Sequence, residues 1–146
     1  MSVIVADLTH PTGSRQVEAQ LEFPQPPPGL LDLHRFELTA LDDAGYLFAL
    51  RSTERPDVRL FVVPPHPYFP AYAPRLDPST RETLGVDASE AVLLVVVHPG
   101  QDGEPPTANL LAPVVMNPVT GAALQVVLDG DEWPLRAPFL AVDSAA

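Results

Sequence analysis

Residues 16–23 read Gln-Val-Glu-Ala-Gln-Leu-Glu-Phe, and residues 35–41 read Arg-Phe-Glu-Leu-Thr-Ala-Leu. In the first stretch Val17, Ala19, Leu21 and Phe23 fall on one side of an extended chain, with Glu18, Gln20 and Glu22 on the other. In the second, Phe36, Leu38 and Ala40 oppose Arg35, Glu37 and Thr39. A period of two is the mark of a strand with one wet face. Residues 58–63 repeat it more weakly, with Arg59 between Val58 and Leu60. Residues 46–50 and 91–98 are continuous apolar runs, which suits strands buried on both faces. Val92, Val95, Val96 and Val97 are β-branched and favour strand over helix there.

Further along, residues 110–116 contain Pro113, so they are expected to form an edge, a bulge or two short pieces. Residues 124–128 run into Asp129-Gly130, a strong turn dipeptide. One helix is written clearly. Asp77 offers an N-cap, Pro78 suits the first helical position and Gly85 supplies the stop. Ser79 with Glu82 offers a second capping register. The helix spans barely two turns and reads as a connector. About seven strands, one short helix and no internal repeat predict a mostly β, single-domain, antiparallel fold, either β-barrel-like or a sandwich. One domain is expected to span residues 1–146, with residues 1–15 and 140–146 fraying.

The chain has 146 residues, enough to bury a core, and its 19 Pro make long helices unlikely to form. Eight basic residues, all Arg, face 19 acidic ones, for a net charge of -11. That charge repels a phosphate backbone and removes the usual driving force for nonspecific nucleic-acid binding. The same field draws in a basic protein. With no Cys there is no disulfide scaffold, thiolate zinc site or cysteine nucleophile. No apolar run is long enough to span a bilayer, and residues 1–8 lack a basic start and carry Asp7, so the expected compartment is the cytoplasm.

Positive evidence for catalysis is lacking. His10, His34, His66 and His98 sit at no metal-ligand spacing, and three of them precede Pro, which suits loop ends. No phosphate-binding Gly loop, nucleophile elbow or zinc-binding helix motif occurs, and no metal or cofactor is expected. Asp129, Asp131 and Glu132 concentrate charge beside a turn; a calcium or magnesium site there lacks the ligand ladder of an EF-hand loop, which leaves a solvated hairpin tip or a docking feature for a basic partner. Asp42 and Asp43 before Ala44-Gly45 read the same way. Tyr68, Phe69 and Tyr72 lie among prolines, where they either fold down over an open barrel end or offer rigid anchors to a partner. Residues 107–113, Thr-Ala-Asn-Leu-Leu-Ala-Pro, pose the same question. Asn109 there is expected to bond backbone at a strand start or bulge.

These segments, taken in order, resemble the flagellar assembly factor FliW family over residues 23–139. The resemblance rests on Phe23-Pro24, Pro28-Gly29-Leu30, Arg35-Phe36, Leu60-Phe61-Val62-Val63 and Tyr68-Phe69-Pro70-Ala71-Tyr72. It continues through Leu84-Gly85-Val86, residues 107–113, Asn117-Pro118, Gln125-Val126-Val127-Leu128 and Pro134-Leu135-Arg136. The Asn-Leu-Leu-Ala-Pro run and its distance to Gln-Val-Val-Leu are the most specific parts. The chain departs from the family pattern at Pro26-Pro27, at Pro64-Pro65 and at Ala71, where acidic residues or Gly are usual.

The resemblance implies a small acidic β protein without catalysis that switches between two protein partners. It implies binding of unsecreted flagellin and, once free, binding of the RNA-binding regulator CsrA, which is thereby stopped from repressing flagellin translation. On that footing Phe69, Tyr72, Asn109, Leu110, Leu111 and Asn117 are expected to serve partner contacts. Asp129, Asp131 and Glu132 are expected to meet the regulator. Direct contact with nucleic acid or membrane is not expected. The competing expectation is a small β-barrel enzyme or ligand-binding protein, with a pocket closed by residues 68–72 and reactive groups converging inside.

Overall fold

The computed structural model describes residues 2–6, 13–25, 27, 32–87, 89–100, 103–128 and 132–139. Ser2–Ala6 (β1) and Ser14–Glu18 (β2) form a two-stranded antiparallel sheet, with Val5 opposite Arg15. β1 lies ahead of the point where sequence alternation begins. It is held from a distance, because the Ala6 N–H donates to the Gly45 carbonyl at 2.9 Å.

The main sheet uses Gln20–Glu22 (β3), Arg35–Ala40 (β4), Phe48–Ser52 (β5) and Arg59–Val63 (β6). The helix Pro78–Leu84 (α1) follows. Val92–His98 (β7), Thr107–Ala108 (β8), Val114–Met116 (β9), Ala123–Gln125 (β10) and Ala137–Pro138 (β11) complete it. The order is β10-β9-β7-β6-β5-β4-β3, every ladder antiparallel, with β8 on β7 and β11 on β8. Over residues 16–23 the alternation of buried and outer side chains is kept, but strand pairing breaks at Ala19, so one expected strand becomes β2 and β3. Of residues 110–116 only the part after Pro113 forms a strand, β9; β8 precedes that run, and the two share one edge of β7. Residues 126–128 continue beyond β10 alongside residues 111–113, the Val126 N–H donating to Pro113 and the Leu128 N–H to Leu111.

The two ends of this sheet approach one another. The Glu22 N–H donates to the Gly121 carbonyl at 3.0 Å and the Glu18 N–H to Pro118 at 2.8 Å, beside a lone parallel bridge between Glu22 and Ala122. That contact is no strand ladder. Of the two outlines the strand pattern allows, the open, sandwich-like one is found, and the sheet is not a closed barrel.

Period two then sorts the side chains. Phe36, Leu38, Phe48, Leu50, Val62, Leu94 and Val96 point into one core with Leu21 and Phe23, and Phe23 meets Phe36 edge-on at 5.3 Å. Each fully buried Phe contributes about 1.5–3 kcal/mol through lost apolar surface. The alternate residues Val63 and Val95 face a second core with Tyr72, Ala108, Leu110 and Ala137. This is why residues 91–97 are apolar throughout: β7 is covered on both sides.

The helix starts and stops where the sequence expects, but not by the expected cap. Asp77 has extended backbone and its side chain makes no capping bond; its carbonyl accepts from the Thr80 and Arg81 N–H groups instead. Gly85, at φ +65°, closes the last turn. Asn117, 32 residues further on, donates through Nδ2 to the carbonyls of Leu84 at 3.0 Å and Gly85 at 3.3 Å.

Candidate functional site

Residues 68–72 fold inward. Turns bring them round, the Tyr68 and Phe69 N–H groups donating to Pro65 and the Tyr72 N–H to Phe69. Tyr72 is 1% exposed, stacks edge-on with Trp133 at 4.7 Å, and donates its hydroxyl to the Leu110 carbonyl at 2.7 Å. Burial pushes its phenol well above the ordinary value of 10.0. Tyr68 reaches the Tyr46 carbonyl at 3.1 Å, and Phe69 lies partly buried against Phe139. The segment is the lid of the second core. Of the two roles expected of this segment, Tyr72 takes the one that folds inward, and it presents almost no surface.

The segment 109–113 is equally committed to the fold. Asn109 Oδ1 accepts from the Leu111 N–H at 3.1 Å and the Ala112 N–H at 3.0 Å, while its own N–H donates to Val96. This Asx turn makes the bulge that separates β8 from β9. Asn109 is 9% exposed, Leu110 3% and Asn117 8%. Asn117 Oδ1 also takes the Val119 N–H at 2.9 Å, so both ends of its amide are occupied. In this structure Tyr72, Asn109, Leu110 and Asn117 thus present almost no surface. Phe69 and Leu111 keep part of their surface, and Glu132 is exposed. Asp129 and Asp131 lie outside the described residues.

The pocket that the competing expectation requires has a counterpart in a cleft of about 260 Å³ beside β1 and the start of the lid. Its described lining is apolar apart from Arg15, His66 and Ser89. His66 Nε2 is 3.0 Å from the Tyr72 carbonyl, an engagement that orients the ring as part of the lid. No carboxylate lines the cleft among the described residues, and no group of three His, Asp or Glu converges anywhere among them. His34 Nδ1 likewise binds backbone, the Phe23 carbonyl at 2.8 Å. No described helix is long and apolar enough to cross a membrane.

The exposed chemistry is acidic. Glu82, Asp87 and Glu90 rim one open recess of about 430 Å³ around α1, with Arg81 among them. Asp77, at the head of that helix, shares a second recess with Glu132, Arg75 and Trp133. The α1 rim escapes motif reading; its only sequence signal is four carboxylates spread over residues 77–90 around a short helix. Asp42 behaves differently from the solvated tip expected of it. Its carboxylate accepts the N–H groups of Gly45, Tyr46 and Leu47 and holds the turn that leads into β5.

Two other carboxylates serve the backbone. Glu54 Oε1 accepts the His34 N–H at 2.7 Å and the Arg35 N–H at 2.9 Å, which hold its carboxyl below the ordinary carboxylate range. Glu18 is lowered by the Gln20 N–H. A depressed carboxyl contributes stability that is whole above its unfolded pKa and is lost as pH falls through the folded value. Stability should therefore decline below pH 4.5. Comparing urea midpoints at pH 7 and at about pH 3, Glu54→Gln should show a smaller acid loss than the parent chain. An equal loss would remove Glu54 from the account.

Comparisons with known proteins agree on one family. The family model described as "FliW protein" matches residues 9–140. The flagellar assembly factor FliW of Symbiobacterium thermophilum is 37% identical over 120 residues, covering 81% of this chain and 87% of that protein. That of Bacillus subtilis is 32% identical over 113 residues, covering 77% and 79%. A crystal structure of the flagellar assembly factor FliW matches with a TM-score of 0.75 and 26% identity, covering 94% of this chain and 96% of that one.

Proposed function

The chain belongs to the FliW family of flagellar assembly factors, and on that premise we propose that it is a non-catalytic, cytoplasmic binding protein for two partners in turn. It holds unsecreted flagellin. Freed when flagellin is exported, it binds the CsrA-type RNA-binding regulator and relieves repression of flagellin translation. The observation that carries this reading is the family match over residues 9–140. Two features of the chain support it. Its charge of -11 complements a protein built to hold phosphates. Its interior polar groups, Asn109, Asn117 and Tyr72, bond backbone and leave no reactive constellation among the described residues.

The acidic rim of Asp77, Glu82, Asp87, Glu90 and Glu132 is the surface we assign to the regulator. Negative charge docked beside an RNA site raises the cost of bringing in phosphates even where the site itself stays open. Pull-downs with purified flagellin and regulator test the proposal. Regulator binding should weaken about tenfold or more between roughly 50 and 500 mM salt, since the Debye length shrinks below the separation of exposed charges. Flagellin binding, with more apolar contact, should weaken less. Failure to retain either protein ends the reading.

A further inference from the structure

Resting on the assignment of the α1 rim to the regulator, we infer that Asn117 is the positioning residue of that surface. Its side-chain amide ties the carboxylates Glu82, Asp87 and Glu90 to the end of the main sheet, and regulator affinity depends on the tie.

The helix cannot hold its own place. It has 7 residues, and isolated helices shorter than about 12–15 residues are marginal in water. Its buried residues are Thr80 and Leu84 only. Its hydroxyl bond is internal, Thr83 Oγ1 donating to the Ser79 carbonyl. Asn117 supplies the rest: Nδ2 donates to Leu84 and Gly85, the carbonyls at which the helix ends. Among the described residues, these are the only hydrogen bonds that join residues 78–87 to chain outside residues 77–91.

The anchor is itself fixed. It follows Met116, which pairs with Val92 on one side and Ala123 on the other. The Asn117 N–H donates to Ala122, and its carbonyl accepts from Gly121. Oδ1 accepts the N–H groups of Val119 at 2.9 Å and Thr120 at 3.3 Å, so the amide has one orientation, with Nδ2 toward the helix. The rim hangs from the two carbonyls Nδ2 holds. Glu82 stands two residues before Leu84, Asp87 two after Gly85, and the Glu90 N–H donates back to Asp87. All three line one recess, where they outnumber Arg81. Exposed charges act over about 8 Å at physiological salt, so their placement decides which basic groups they meet.

Freeing α1 changes that placement and not the chain's net charge. Steering by net charge should persist while the docked complex separates faster. Asn117→Asp tests this, because it keeps an acceptor for the Val119 N–H and loses both donors. By charge alone, an added carboxylate would tighten binding to a basic protein. The tie predicts the opposite: regulator affinity should fall about tenfold through faster dissociation, with association and flagellin affinity within about twofold. Asn117→Ser is the neutral companion, with a hydroxyl suited to the same turn, and should reproduce the loss. Both are measured well below their unfolding transitions, so lost stability is not read as lost affinity.

A double-mutant cycle locates the effect. Glu82→Gln/Glu90→Gln should weaken regulator binding in the parent chain and add less than about twofold in Asn117→Ser. Additive losses, unchanged regulator affinity in both Asn117 variants, or an equal loss of flagellin overturns the role of Asn117 and leaves the rim standing. A parent-chain rim variant that binds the regulator as before removes the rim, and this inference with it.

Discussion

Tyr72→Ala should lower stability by about 4 kcal/mol, the range for deleting a large buried aromatic. The phenol fills the middle of the second core, so its loss leaves a cavity lined by Val63, Val95 and Leu110. It also removes the edge-on contact with Trp133 and orphans the Leu110 carbonyl, which sits 2.7 Å from the hydroxyl. Tyr72→Phe keeps the ring and loses only the hydrogen bond, about 1–2 kcal/mol. Urea unfolding of the pair separates packing from hydrogen bonding at this position. Trp133 is the only tryptophan, so its fluorescence reports the lid directly. A Tyr72→Ala chain within about 1 kcal/mol of the parent would mean that residues 68–72 do not cover a core. Because the loss is global, both partner affinities should fall together.

Gly121→Ala should cost about 3 kcal/mol or more, through two effects that can be separated. Gly121 has φ +82°, a conformation that disfavours any side chain. It also lies where the ends of the main sheet meet. Its N–H donates to Asn117, its carbonyl accepts from Glu22, and a Cβ would drive into the Gln20 carbonyl oxygen of β3. Gly13 provides the control, with φ +78° and open space around an added Cβ. Gly13→Ala should cost only the left-handed term, about 1–2 kcal/mol. The excess at Gly121 measures the close approach of β3 to residues 118–122. Equal losses at the two glycines would mean that the sheet ends are not pinned there.

The strands that were legible share one property: their cue is local. Residues 35–41 alternate because one face of β4 is core and the other solvent, and that pattern needs no knowledge of the partner strand. Pro113 and the Asp77-Pro78 to Gly85 frame likewise act through their own backbone angles: β9 begins just after Pro113, and the helix keeps its expected bounds. β1 was not legible, because its place depends on Gly45, whose missing Cβ lets Ile4 and Ala6 approach. For the same reason burial of the expected partner residues is not legible in the sequence. Aromatic and Asn-rich loops look alike whether they cap a core or meet another protein, until something distant is seen to cover them.

The chain's own letters thus determine a β protein of high negative charge, its main strand segments, one short helix and its membership of a family, since periodicity, turn chemistry and ordered motifs are all carried by neighbours in sequence. Only the folded arrangement decides that Tyr72 and Asn117 face inward, that the sheet stays open, and that Arg51 comes to stand beside Arg59. Those outcomes depend on which strands pair and in what register. Pairing energy belongs to residues far apart in the chain, so no local window contains it.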